Sequence, residues 1–267
     1  MSKEDELVIV DVGCRWGFAD NFIDNLDNFR IYGFDPDKAE CDRLNKYYSS
    51  DRVTIFPIAL GESKRKTNLY LTEEAACSSI FKPRIDLIQQ NPTLKCINIK
   101  KIVNVDLMTL DMWSRKYSVF RVDHIKLDTQ GSEFLILMGS KNVLKNVRTI
   151  QVEVEFNAIY EEQHLFSDVD ALLRSQGFSL WKLTDLSHYG SSSEVEMHLE
   201  SDSVFNNYNA QKVERFGGQL FWGEAHYICN EIIEASYGEC DQLERDIKLL
   251  QNLGYLDLVD RLKRSVL

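Results

Sequence analysis

An excess of positive charge is missing from this 267-residue chain: 31 Lys and Arg face 42 Asp and Glu, for a net charge of -11. That balance weighs against nucleic-acid binding, because a phosphate backbone is held by cations that displace its counterions. No apolar run approaches the roughly 20 residues needed to cross a bilayer, so no membrane span is expected. The start, Met1-Ser-Lys-Glu-Asp-Glu6, is too charged for a secretory leader, and the expected location is the cytoplasm. Six cysteines (14, 41, 77, 96, 229, 240) form no C-x-x-C pair, and five histidines (124, 164, 188, 198, 226) show no metal-ligand spacing. Mostly buried thiols in a reducing compartment, and no bound metal, are the expectation. Internal repeats and low-complexity segments are also lacking.

What is present is ordinary globular composition, 44% hydrophobic and 27% charged, with enough length for one large α/β domain and an elaboration. The most informative stretch is Leu7-Val-Ile-Val-Asp-Val-Gly-Cys-Arg-Trp-Gly17. An apolar run ends in Asp11 and is followed by Gly13, Gly17 and a predicted helix over 18–27. Strand, glycine turn and helix in that order build a pocket at the carboxyl end of a strand. The next apolar strand, predicted over 30–34, ends in Asp35, placed to accept from the two hydroxyls of a ribose. The spacing is G-x-x-x-G, without the G-x-G-x-x-G that crowds a pyrophosphate onto a helix. An adenosine-containing ligand without phosphates is the first expectation.

Strand and helix continue to alternate, which predicts a doubly wound, mostly parallel sheet. A helix is expected over 37–48, opened by Pro36 and Asp37, then strands over 53–57, 124–127, 149–155 and 178–183. Residues 61–105 are less regular, with short strands at Leu69–Leu71 and Val103–Val105 and a short helix from Thr109 to Arg115. Another helix starts near Ser132, and one over 167–176 has Ser167 as its expected N-cap and Gly177 as its stop. The last strand is expected over 219–229. Residues 1–235 read as one domain, with 186–218 as a substrate cover containing Tyr189, Phe205 and Tyr208. Residues 236–267 read as a helical extension broken at Gly254.

The second anchor is Asp123-His-Ile-Lys-Leu-Asp-Thr-Gln-Gly-Ser-Glu133. Asp128 follows a strand beside the glycine turn and should share its crevice, either as a functional acid or as a helix cap. Lys126 is an ion partner for Asp128 or Glu155, or else a catalytic amine with a lowered pKa. Gln151, Glu153 and Glu155 alternate with apolar residues on a central strand, where burying carboxylates is costly without a reason.

Together, Asp11-Val-Gly-x-x-x-Gly17, Gly33-Phe-Asp-Pro36, Ile58-Ala-Leu-Gly61, Ser78-Ser79 and Ile125-Lys-Leu-Asp-Thr-Gln-Gly-Ser-Glu133 resemble the FkbM-type methyltransferase family. Gly139, Glu153-Val-Glu-Phe156 and Tyr160 continue the resemblance, which covers about residues 7–185. It implies a class I, Rossmann-like fold of seven strands with an antiparallel last strand, S-adenosylmethionine as cofactor, and O-methylation of a hydroxyl on a small molecule, sugar or other natural product. It implies that Asp11, Gly13 and Gly17 line the amino-acid end of the cofactor, Asp35 the ribose, Ile58 and Ala59 the adenine, and Asp128 the transfer point. Asp128, then Glu155 or Lys126, are the expected catalytic residues. A homo-oligomer is compatible with the fold. The chain departs from the family where Cys14, Arg15 and Trp16 follow Gly13, since an Arg beside a sulfonium is unfavourable unless it pairs with an acid. Two other readings stand beside this one: a non-catalytic protein on the same fold, and an NAD-dependent oxidoreductase, which the missing phosphate-loop glycine disfavours.

Overall fold

The structure, a computed structural model, describes residues 6–189, 197–198, 219–237 and 240–265. At its centre is β1 (Leu7–Val12), an apolar run buried on both faces, as a central parallel strand must be. It pairs in parallel with β2 (Phe29–Phe34) on one side and with His124–Leu127 on the other. Between β1 and β2 the predicted helix is shorter than expected. It is α1 (Asp20–Asp24), followed by a single 3-10 turn over Leu26–Asn28. Helix α2 (Lys38–Tyr48) follows β2 as predicted. The Asp37 carboxylate caps it, accepting from the Ala39 and Glu40 amides at 3.0 and 3.3 Å.

The chain continues through β3 (Val53–Phe56), β4 (Ala59–Leu60), β5 (Lys66–Thr72), α3 (Ile85–Gln90), β6 (Ile99–Met108), α4 (Leu110–Tyr117), β7 (His124–Leu127), α5 (Glu133–Met138) and β8 (Thr149–Glu155). Helix α6 (Phe166–Ser175) begins one residue before the predicted cap. Ser167 therefore lies inside it, and the Asp168 carboxylate closes its first turn by accepting from the Leu165 amide at 3.0 Å. Next come β9 (Phe178–Tyr189), β10 (Met197–His198), β11 (Gln219–Cys229), α7 (Asn230–Glu234), α8 (Cys240–Leu253) and α9 (Leu256–Ser265).

Eight strands form the main sheet in the order β10-β9-β11-β8-β7-β1-β2-β3. Strands β3, β2, β1, β7 and β8 are mutually parallel, and β11 runs antiparallel between β8 and β9. Seven of these strands have the order and the reversed last strand expected of a class I methyltransferase. The two-residue β10 adds to that edge. Most of 186–218 lies outside the described residues, including Phe205 and Tyr208, whereas Leu186 to Tyr189 extend β9.

The stretch read as irregular holds a second sheet, β4-β6-β5, with Leu69 opposite Val103 in antiparallel register. The polar face of β6 hides its length, because Lys100, Lys101, Asn104 and Asp106 interrupt the apolar alternation. Helices α8 and α9 pack under the main sheet. Leu250, Leu258, Val259 and Leu262 join its larger core, and Leu249 joins the core on the opposite face. Arg148, just before β8, holds the fully buried Asp246 of α8 through its Nε and Nη2. Arg245 holds the buried Asp123, just before β7, in the same way. The tail thus closes the amino ends of the strands. Among the described residues no helix is long and apolar enough to cross a membrane.

A buried histidine, His226, makes the fold sensitive to acid. His226 lies between the Thr184 hydroxyl and the Tyr255 hydroxyl, at 2.9 and 2.8 Å. Burial, with Lys182 adding, lowers its pKa to about 4. The unfolded chain therefore binds this proton more tightly, so the histidine's contribution is present above about pH 6.5 and is lost as pH falls toward 4. His226→Gln should flatten the stability-pH curve in that window, as read by urea unfolding at a series of pH values. A parallel curve for the variant would refute this.

Candidate active site

The site lies at the carboxyl ends of the parallel strands, opposite the helical tail. Gly13 follows β1 with φ +87°, and a Cβ there would stand 1.8 Å from the Asp128 carbonyl oxygen. Glycine is obligatory because the turns after β1 and β7 touch backbone to backbone. Gly17, at φ +111°, is required by Tyr48 of α2, whose hydroxyl would meet a Cβ at 2.4 Å and accepts from the Phe18 amide.

Two cavities open here. One, of about 350 Å³, has apolar walls from Phe34, Ile58, Ala59, Leu69 and Val103, with Asp35 at its edge. The second sheet and Ser78-Ser79 form its cover. Asp35 is 5% exposed, and its Oδ1 accepts from the Asp37 amide at 2.7 Å. Burial raises its pKa, while the Asp37 amide and Arg15 oppose the rise. An acid at the mouth of an apolar slot suits the hydroxyls of a nucleoside whose base enters the slot. Arg15 is turned to the acids, with Nη2 at 2.8 Å from Asp37 and Nη1 at 3.8 Å from Asp35. The departure seen in the sequence is thereby neutralised by pairing.

The second cavity, of about 510 Å³, is lined by Asp128, Glu153, Glu155, Tyr160, Trp222 and Glu224, among others. Trp16 (φ 74°), Gln130 (φ 59°) and Asp185 (φ 51°) also line it. Three non-glycine residues in left-handed conformation at one cavity, each costing about 1–3 kcal/mol, mark a wall that its surroundings over-determine. Gly13, Arg15, Ala76, Asp128 and Gln130 line both cavities, and Asp128 is the one carboxylate among them.

Gln130 ties the junction together. Its Nε2 donates to Asp128 Oδ1 at 3.2 Å and to Glu153 Oε2 at 2.8 Å, and its Oε1 lies 3.2 Å from the Tyr160 hydroxyl. Its carbonyl accepts from the Ser79 hydroxyl at 2.7 Å, joining the cover to the floor. Lys126 Nζ lies 3.2 Å from Asp128 Oδ2. Burial opposes its charge, but Asp11, Asp128 and Glu224 together raise its pKa above the ordinary lysine value. It is an ammonium paired with Asp128, the first of its two expected partners. Glu155 is 3% exposed, and burial first, then Glu133, pushes its pKa well above the carboxylate range. Glu153 is raised by burial and by Asp128, and Glu224, opposite it on β11, by burial.

Of the expected cofactor residues, Gly13, Asp35, Ile58, Ala59 and Asp128 line the first cavity. Asp11 and Gly17 line neither. Asp11 is buried beneath the turn with Oδ1 lacking a hydrogen-bond partner, and burial raises its pKa to about 6 while Lys126 opposes. Sequence reasoning missed Gln130 and Glu224. The first was legible as a polar residue before Gly131 in the β7 turn. The second faces Glu153 only through sheet register. Among the described residues no three His, Cys, Asp or Glu side chains form a cluster able to hold a metal ion.

A mostly parallel sheet with a reversed last strand, carrying an apolar slot beside Asp35 and an adjoining cavity lined by several carboxylates at its carboxyl edge, defines a class I methyltransferase architecture. Residues 11–180 match the methyltransferase FkbM domain, and the chain belongs to that family. A curated relative, the 2-O-methyltransferase NoeI of Sinorhizobium fredii, is 24% identical over 165 residues, 58% of this chain. The match spans 66% of that protein, just under two thirds of its length. Among solved structures, magnesium protoporphyrin IX methyltransferase from Synechocystis PCC 6803 with bound SAM aligns over 85% of this chain and 72% of its own, at 12% identity and TM-score 0.36. A putative S-adenosylmethionine dependent methyltransferase from Listeria monocytogenes aligns over 86% of this chain and 93% of its own, at 8% identity and TM-score 0.43.

Proposed function

We propose that the protein transfers a methyl group from S-adenosylmethionine to a hydroxyl of a small-molecule or glycan acceptor. The observation that carries this reading is the meeting of the two cavities at Gly13, Asp128 and Gln130. The family assignment supports methyl transfer, and the relative named as a 2-O-methyltransferase supports oxygen as the accepting atom.

The residues of the smaller cavity fit the cofactor: Asp35 would take the ribose hydroxyls, and Ile58 and Ala59 the adenine. Bound there, S-adenosylmethionine supplies a methyl group already activated by its sulfonium. The protein's task is then to position the acceptor oxygen and remove its proton. Asp128, common to both cavities, is the base. Lys126 holds one of its oxygens and Gln130 the other, which fixes the carboxylate's orientation. Glu153 and Tyr160, tied to the same glutamine, orient the acceptor's remaining hydroxyls.

Titration with S-adenosylhomocysteine by calorimetry is the test. Wild type should bind it in preference to NAD. Asp35→Ala should weaken binding about 10- to 150-fold, the loss of one charge-assisted hydrogen bond of about 1.5–3 kcal/mol. A folded wild type that does not bind S-adenosylhomocysteine would overturn the reading.

A further inference from the structure

The acceptor cavity contains a pair of thiols that methyl transfer does not use. Cys77 ends a 3-10 turn over Ala75–Cys77, and Cys96 lies in another over Pro92–Ile97. Backbone bonds lock the two segments side by side. The Glu74 amide donates to the Cys96 carbonyl at 3.0 Å, and the Glu73 amide to the Asn98 carbonyl at 2.8 Å. Both side chains pack against the same apolar cluster, around Leu94, Ile97 and Tyr160, and both line the 510 Å³ cavity. The two thiols shift each other's ionisation. Neither lines the 350 Å³ cavity.

We propose that Cys77 and Cys96 form a thiol-modification site in the wall of the acceptor cavity, in which exchange with a low-molecular-weight disulfide joins the two sulfurs and disturbs the seat of the acceptor. The effect on the acceptor rests on the cavity's assignment to it; the bridge itself does not.

The pair has the asymmetry that exchange requires. The neighbouring Cys77 thiol lowers the Cys96 pKa to about 7, and Cys96 in turn raises that of Cys77. Near neutral pH Cys96 is therefore the nucleophile and Cys77 the resolving thiol. Cys96 thiolate attacks one sulfur of glutathione disulfide, forming a mixed disulfide and releasing one glutathione thiolate. That thiolate takes the Cys77 proton. The Cys77 thiolate then attacks the Cys96 sulfur, forming the intramolecular bridge and releasing the second glutathione. Two protein thiols are oxidised and one glutathione disulfide is reduced. Cys14, Cys41 and Cys229 do not compete, because each is buried and burial raises each pKa.

The test incubates the full chain with glutathione disulfide near neutral pH, followed by non-reducing peptide mapping, S-adenosylhomocysteine titration and methyl-transfer assay. A Cys77–Cys96 bridge is expected, with S-adenosylhomocysteine affinity unchanged within about twofold, acceptor turnover reduced at least about tenfold, and recovery on adding dithiothreitol. Cys77→Ser should accumulate the mixed disulfide at Cys96, and Cys96→Ser should react with glutathione disulfide at least about tenfold more slowly than wild type. Bridging elsewhere, or no modification at either residue, would overturn the site. A bridge that leaves acceptor turnover unchanged would overturn the effect on the acceptor. Failure of the reduced protein to bind S-adenosylhomocysteine would instead count against the methyltransferase reading, and the peptide map would still decide the thiol pair.

Discussion

Asp128→Asn should lower the single-turnover rate of methyl transfer by about 10²- to 10⁴-fold, the range lost when a positioned general base is removed. Affinity for S-adenosylhomocysteine should change only a few-fold. The substitution is nearly isosteric, so the amide oxygen can still accept from Gln130. Lys126 retains two of its three neighbouring carboxylates, Asp11 and Glu224, and its charge stays compensated. What disappears is the ability to take a proton where the two cavities meet. Glu155→Gln is the contrast. That carboxyl is buried, and burial raises its pKa well above the ordinary range, which favours the protonated form that a neutral amide resembles. A small rate effect is expected there. Should Glu155→Gln abolish transfer while Asp128→Asn leaves the rate within about threefold, the base belongs on β8 and the assignment here is wrong.

Arg148→Met should destabilise the fold by about 3–5 kcal/mol, the usual result of removing one partner from a buried ion pair. Arg148 is 7% exposed and Asp246 is not exposed at all. Asp246 accepts from Arg148, from the Tyr237 hydroxyl at 3.0 Å and from Gln242 at 2.8 Å. Burial raises the Asp246 pKa even with Arg148 opposing, so removing the guanidinium raises it further. The variant should therefore recover part of its stability as pH falls, because a folded pKa above the unfolded one stabilises the fold at low pH. Arg148→Met with Asp246→Leu should restore most of the loss by removing both charges. Urea unfolding of the three proteins decides it. A cost under about 1 kcal/mol for the single variant would mean that water reaches Asp246 and that α8 does not seal the base of the sheet. S-adenosylhomocysteine binding by the folded variant should be unaffected, since this cluster lies at the amino ends of the strands.

Much of the frame was legible in the residues. The strand 149–155 stands as predicted, and β1, β2 and α2 differ from their expected bounds by a residue or two. Gly13, Asp35 and Asp128 stood out because each follows an apolar strand, where a parallel sheet exposes its functional edge. Other features were harder to read. The second sheet was seen as two fragments because its outer face is polar and weakens the period-two signal. Helix α1 was read too long because the same apolar residues serve a short helix and a 3-10 turn. The roles of Lys126 and Glu155 stayed open because alternation along a strand says which face a side chain takes, not what lies opposite.

The chain's own pattern thus determined the fold class, the strand ends that carry the pocket, and the family. Strand propensity, glycine at forced turns and the acid after β2 are local properties that neighbouring residues express. Tertiary structure decided the rest: Lys126 paired with Asp128, Gln130 as the tie between two cavities, Glu224 facing Glu153, and the tail as the floor of the sheet. The last three depend on pairing between segments far apart in the chain. There, the cost of burying a charge is met only by a partner that sheet order and register bring into place.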